Sequence, residues 1–329
     1  MKKEYMYEAP EDVREFLSYM QNVKGKSPLT VDEYYVDLRI FFRFMKKFKG
    51  CVSEDTPEDQ IRIDDITTDF IRQITFTDIN YYMNYCMNER HNKANARARK
   101  TSSLSTFFKY MTLKVNKLEK NPTEQLDAPK KTKSLPKYLT LEQSIELLNA
   151  VEGEYKERDY CILTLFLNCG MRLSELVGIN LGDVRSDRSL RLLGKGDKER
   201  VVYLNDACVE AIEAYKKVRP VDGVIDKNAL FLSRLKKRIS PKTVQAMVYK
   251  YLEKIGLDSQ GYSVHKLRHT AATLMYQQGN VDIRVLKEIL GHENLGTTEI
   301  YTHLSSQQVE QAIKSNPLSD IKPKKKKNG

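Results

Sequence analysis

Five histidines occur in the chain, and four of them, His265, His269, His292 and His303, fall within thirty-nine residues that also hold Arg268 and Tyr301. A lone histidine is usually a core or surface residue, but a cluster this tight beside an arginine and a tyrosine points to a site with groups that titrate near neutrality. In HKLRH, His265 and His269 have the i, i+4 spacing of zinc ligands, but Lys266 stands where a metalloprotease carries glutamate. A cation at that position favours an anion over a metal. His265 and Arg268, at i, i+3, can face one phosphate.

Three further segments carry groups of the same kind. In GMRLSELVGI, Arg172 follows Gly170 at a predicted helix start, where backbone N–H groups and the positive helix end favour an anion. The competing partner for Arg172 is Glu175, three residues on. In GKGDKER, Lys195 sits on a glycine-flanked turn that is not a phosphate-binding P-loop. It is either a solvated turn lysine or one that dips into a groove. In LGHENLGTTEIYTH, Gly291 ends a helix, His292 lies just past it, Thr297 and Thr298 offer a cap, and Tyr301 follows on a short helix.

These groups need rigid elements to position them. Up to about residue 115 the sequence reads as four or so helices with few breakers. Val13, Phe16, Leu17 and Met20 form one stripe, and a second helix capped by Thr30 carries Tyr34, Leu38, Phe41, Phe42 and Met45. Residues 51–72 are acidic and irregular and read as a surface insertion or loop. Thr77 and Asp78 restart a helix bearing Ile79, Tyr82, Met83 and Cys86, and a basic helix bearing Leu104, Phe107, Phe108 and Met111 follows. Between Asn116 and Lys137, proline and lysine without apolar period predict an extended linker. Thr140, with Gln143 at capping-box spacing, restarts helical structure.

Beyond it the pattern is mixed. A helix runs from about Tyr155 to Cys169 and stops at Gly170, another holds Leu173, Leu176 and Val177, and SLRLLGKGDKERVVYL predicts a β-hairpin. Helices are expected over 206–217, 240–255, 265–278, 282–290 and 305–314, the last able to dock on its own domain or on a neighbouring protomer. The IKPKKKKNG tail lacks core formers and is expected to be disordered. The domains predicted are 1–115 (helical), 116–137 (basic linker), 138–316 (mixed) and 317–329 (tail).

Length, charge and composition bound the function. The 329 residues are enough for two domains of roughly 150 each. The net charge of +11 is unevenly placed. Residues 51–89 hold two basic and nine acidic side chains, whereas 90–137 hold thirteen basic and three acidic. Such concentration is the footprint of a polyanion-binding face or of a solvated helix and linker. Arg97, Arg99, Lys100, Lys130, Lys131 and Lys133 are its candidate polyanion contacts. The longest apolar runs fall far short of the ~20 residues of a membrane span, and MKKEYMYEAPED has no apolar segment of a signal peptide. Five cysteines without CxxC spacing argue against a disulfide framework or a zinc ribbon and fit a reducing compartment. A soluble cytoplasmic protein is expected.

Taken together, GMRLSELVGI, GKGDKER, HKLRHTAATLM and LGHENLGTTEIYTH resemble the catalytic domain of the tyrosine recombinase (phage integrase) family, most closely its Xer-like simple recombinases. SPLTVDEYYVDLRIFFRFM and SLSTFFKYM…NPTEQLDAPK are similar to the family's core-binding helices and linker. The acidic stretch at 51–72 and the lysine tail lie outside the resemblance. It implies a mainly α protein: an all-α, SAM-like core-binding bundle followed by a mostly helical catalytic domain with a small antiparallel sheet.

The family's catalytic set carries over to Arg172, Lys195, His265, Arg268, His292 and Tyr301, with none substituted. The resemblance implies that Tyr301 attacks a DNA phosphodiester to give a 3′-phosphotyrosyl link. Arg172 and Arg268 would hold the non-bridging oxygens and Lys195 would protonate the 5′-oxygen. His265 would act as base or relay and His292 would hydrogen-bond the phosphate, with His269 and His303 structural. No metal, ATP or other cofactor is implied. The implied partner is a double-stranded recombination site, bound by a homotetramer on two duplexes, alone or with a second recombinase, and no membrane. The alternatives are a type IB topoisomerase that relaxes DNA with the same chemistry, and a non-catalytic DNA-binding protein on the same scaffold.

Overall fold

A computed structural model of the chain describes residues 2–127, 137–194, 199–279 and 281–291. It comprises two compact units, Met1–Lys133 and Ser134–Gly329, each with its own apolar core. Among the described residues no helix is long and apolar enough to cross a membrane.

The first unit is all α: α1 (Lys3–Glu8), α2 (Glu11–Ser18), α3 (Pro28–Phe48), α4 (Thr68–Arg72), α5 (Phe76–Asn88) and α6 (Ala94–Leu113). The stripe Val13, Phe16, Leu17 and Met20 is buried and meets Phe41, Phe42, Phe107 and Phe108 in an aromatic-rich core. The cap of α3 is Ser27 rather than Thr30: Ser27 Oγ accepts the Thr30 N–H at 3.3 Å, and Pro28 fills the first helical position, where it loses no bond. Likewise α5 starts two residues before the expected restart, at a capping box between Thr75 and Asp78.

Two expectations for this unit are corrected. Residues 51–72 are not a surface insertion, because Ile61, Ile63, Ile66 and Ile71 are buried in the unit while the acidic residues between them face outward or pair. Lys46 anchors the segment, donating to Asp65 Oδ2 at 2.7 Å. Nor are residues 116–127 extended linker. Lys117 bridges Asp12 at 2.7 Å and Glu15 at 2.6 Å, and Leu118 enters the core beside them.

The second unit contains α7 (Leu141–Asn149), α8 (Lys156–Cys169), α9 (Leu173–Gly178), β1 (Ser189–Leu193), β2 (Glu199–Tyr203), α10 (Asp206–Val218), α11 (Pro241–Lys254), α12 (Val264–Gln277) and α13 (Ile283–Leu290). The expected helices over 206–217, 240–255, 265–278 and 282–290 match these to within a residue at each end. The capping box at Thr140 is present, with Gln143 N–H on Thr140 Oγ1 at 3.2 Å. Residues Cys161–Phe166 are buried on every face, because α8 runs through the centre with α10 and α12 packed on it. β1 and β2 form the expected antiparallel hairpin, with Leu190 opposite Val202 and Leu192 opposite Arg200. The expected helix over 305–314 and the lysine tail lie outside the described residues.

Candidate active site

Gly170 ends α8 in the left-handed conformation, at φ +56°, and turns the chain so that Arg172 becomes the N-cap of α9. Only glycine serves here: a Cβ would stand 2.8 Å from Leu290 Cδ2, in a backbone region that side chains rarely adopt. Arg172 makes the expected ion pair, Nη1 to Glu175 Oε1 at 2.7 Å, while its backbone N–H donates to Glu175 Oε2 at 2.7 Å. The pair does not remove Arg172 from the surface, since its side chain stays 38% exposed and its Nη2 donates to the Gly291 carbonyl at 3.0 Å. Ion pairing with Glu175 and access to an anion are therefore compatible for this residue.

Arg268 is buried on α12. Its Nη1 donates to the Gly170 carbonyl and its Nη2 to the Leu290 carbonyl, each at 2.6 Å. His265 lies one turn earlier on the same helix, and its ring meets that of His269 edge to face at 4.7 Å between centroids. Both rings have lowered pKa values, His269 to about 4. For His265 the causes are burial, then the charges of Arg268, Lys266 and Arg172; for His269 they are burial, then His265, Lys266 and Arg268. Two cations thus converge beside a neutral imidazole, an arrangement that can hold a phosphate and accept a proton.

Two residues of this centre are less evident in the sequence. Glu175 was noted only as a partner of Arg172, yet it is fully buried and also takes Arg200 Nη2 at 2.8 Å on Oε2. Burial opposes its ionisation, but the hydrogen bond and charge of Arg200, followed by the backbone and side-chain hydrogen bonds of Arg172, outweigh it and lower its pKa. Arg200 went unnoticed altogether. The signal for it is strand alternation: Arg200 and Val202 fall on the same, more buried face of β2, an unusual place for an arginine without a carboxylate.

Lys195, His292 and Tyr301 lie outside the described residues, as do Lys130, Lys131 and Lys133. By sequence Lys195 belongs to the connection between β1 and β2, and His292 directly follows Gly291. In the first unit Arg99 is exposed at a groove between α3 and α6 that Thr30, Glu33, Asn95 and Ser102 also line. Arg97 is half-buried on the same helix. Lys100 is a correction. It is 4% exposed and donates to Asp37 Oδ1 at 3.1 Å, beside Arg99 and Ser103 on the same carboxylate, so its ammonium is buried and paired inside the unit. Among the described residues no group of three His, Cys, Asp or Glu is arranged to hold a metal ion.

A model of the phage integrase family matches residues 137–308, more than half of the chain. The tyrosine recombinase XerC of Caldanaerobacter subterraneus subsp. tengcongensis is 53% identical over 310 residues, covering 94% of this chain and 88% of that protein. XerC of Psychromonas ingrahamii is 34% identical over 295 residues, covering 89% and 91%. The chain belongs to the phage integrase, or tyrosine recombinase, family. Its fold is similar to that of XerH bound to palindromic difH in a post-cleavage complex, at a TM-score of 0.69 and 19% identity over 92% of this chain and 84% of that one. It is also similar to the fold of a lambda integrase tetramer bound to a Holliday junction, at a TM-score of 0.65 and 16% identity over 91% and 79%.

Proposed function

We propose that the chain is a site-specific DNA recombinase that cuts and rejoins strands by two transesterifications. Tyr301 Oη attacks the scissile phosphorus, forming a 3′-phosphotyrosyl bond as the 5′-oxygen leaves, protonated by Lys195. A 5′-hydroxyl of the partner duplex then attacks the same phosphorus and releases Tyr301. Each step exchanges one phosphoester for another, so neither ATP nor a metal enters the balance. Arg172 and Arg268 bear the charge that builds on the two non-bridging oxygens, where a planar fork fits best. His265, kept neutral by its surroundings, accepts the Tyr301 proton, and His292 hydrogen-bonds the phosphate. The substrate is a double-stranded recombination site held by four protomers around two duplexes. Arg97, Arg99, Lys130, Lys131 and Lys133 contact its backbone.

The observation that carries this proposal is the convergence of Arg172 and Arg268 on the adjacent carbonyls of Gly291 and Leu290, with His265 one turn from Arg268. The similar folds are those of complexes with difH or a Holliday junction, which supports a DNA substrate by analogy. The test is Tyr301→Phe on a nicked suicide duplex. It is expected to bind like the unsubstituted protein and form no covalent adduct; a persisting adduct would move the nucleophile elsewhere. Relaxation of supercoiled plasmid without strand exchange would favour the topoisomerase alternative.

A further inference from the structure

Three successive carbonyls at the end of α13 each accept from a different arginine: Ile289 from Arg200, Leu290 from Arg268 and Gly291 from Arg172. Two of these arginines belong to the set that the family motif assigns. The third does not, and its contacts are the most dispersed. Arg200 leaves β2 with a side chain 13% exposed, gives Nη2 to Glu175 Oε2 at 2.8 Å and Nη1 to the Ile289 carbonyl. Its stem lies across Gly291, where a Cβ would stand 2.8 Å from Arg200 Cδ. Gly291 itself is left-handed, at φ +62°, so the end of α13 is shaped to let this side chain pass.

From these contacts we propose that Arg200 is a positioning residue of the transesterification centre. It locks Glu175, and through it the guanidinium of Arg172, against the end of α13. The physical case rests on what each contact fixes. Glu175 takes Arg172 on both oxygens, from Nη1 and from the backbone N–H, so the carboxylate's orientation sets that of Arg172. Arg172 supplies its charge only at Oε1, and on Oε2 a neutral backbone N–H; the second cation, Arg200, on Oε2 stiffens the carboxylate on that side. The Ile289 carbonyl ties the same guanidinium to the residue three before His292. One planar side chain therefore registers the strand that follows the Lys195 connection, the Arg172 clamp and the chain leading to His292. A lysine would present all its donors from a single nitrogen, without the two separated terminal nitrogens that reach Glu175 and Ile289 here.

This inference rests on the proposed transesterase function, and the test separates the two. Single-turnover cleavage and Kd are measured on a nicked duplex of the site that the unsubstituted protein footprints. Arg200→Ala is expected to cleave about 100-fold more slowly, a loss of the size seen when a preorganised donor is misplaced, with Kd little changed. On an Arg172→Lys background the same substitution is expected to cost only about threefold, because the group it positions is already impaired. An undiminished loss on both backgrounds overturns the proposal, as does a loss accounted for by the unfolded fraction in a melt at the assay temperature. If Arg200→Ala does not fold, Arg200→Lys asks the same question: it keeps a charge beside Glu175 but cannot fork to Ile289. It is expected to cleave at least tenfold more slowly, and cleavage at the unsubstituted rate overturns the proposal. Absence of any adduct with the unsubstituted protein would overturn the transesterase function itself, and this inference with it.

Discussion

Arg268 donates through Nη2 to the carbonyl oxygen of Leu290 at 2.6 Å, tying the middle of the catalytic unit to the end of α13. Its other terminal nitrogen holds the Gly170 carbonyl at the end of α8. Both of these acceptors are backbone carbonyls at helix ends, and Arg268 is buried between them. Arg172 pairs with Glu175 and stays partly in solvent. The two arginines therefore suit one anion while playing unequal parts in stability.

That inequality is measurable. Arg268→Ala leaves the Gly170 and Leu290 carbonyls without these donors inside the unit, and is expected to cost roughly 2–4 kcal/mol in urea unfolding. Arg172→Ala leaves Glu175 paired with Arg200, and its cost is expected to be only about 1 kcal/mol. Both variants should lose cleavage. Equal unfolding costs would show that Arg268 does not bind the two helix ends together.

Stability should also depend on pH through the histidine pair. His265 and His269 titrate lower in the folded protein than the usual 6.5, His269 at about 4. Below pH 6.5 the unfolded chain therefore binds more protons than the folded one, so stability is full above that value. It falls as the pH drops from 6.5 towards 4, more through His269 than through His265, whose exposed ring is screened by solvent. Replacing His269 by Gln should flatten the slope of unfolding free energy against pH in that window. An unchanged slope would place the titration on other groups.

How far the sequence predicted this architecture follows the distance between partners. The capping box of Thr140 with Gln143, the left-handed stop at Gly170 and the hairpin all arise within a few residues, and their residue types declare them. Ser27 lost to Thr30 in the sequence because both are good caps, and the adjacent Pro28 decides between them. Burial is what the chain order conceals. Ile61, Ile63, Ile66 and Ile71 follow neither a helical nor a strand period, and the acidic residues between them masked an apolar anchor. Lys100 counted towards a basic face although its carboxylate partner, Asp37, lies 63 residues away. Arg200 has its carbonyl acceptor 89 residues away, in Ile289.

The burial of Lys100 yields a prediction about salt. DNA affinity should fall with salt at a slope of about −0.9 per neutralised phosphate. Replacing Lys130, Lys131 and Lys133 by Ala should flatten that slope without changing the sequence chosen from a randomised pool. Lys100→Ala should instead leave the slope alone and lower the melting temperature of the first unit, because Asp37 loses a buried partner. A flattened slope in Lys100→Ala, with stability intact, would return Lys100 to the DNA surface.

The assignment of proton and charge roles can be separated chemically at Lys195. If its ammonium protonates the departing 5′-oxygen, Lys195→Ala should slow cleavage of ordinary DNA by about 10²–10⁴-fold, the usual range for general acid catalysis. A substrate with sulfur at the 5′-bridging position needs no such proton, since a thiolate leaves unaided. Lys195→Ala should therefore recover most of its rate on that substrate. Arg172→Ala should not, because the charge on the non-bridging oxygens develops whichever atom leaves. Arg172 is fixed at the start of α9 by Glu175, whereas Lys195 belongs to the connection between β1 and β2. Rescue of both variants by sulfur, or of neither, would mean that acid and clamp have been assigned to the wrong residues.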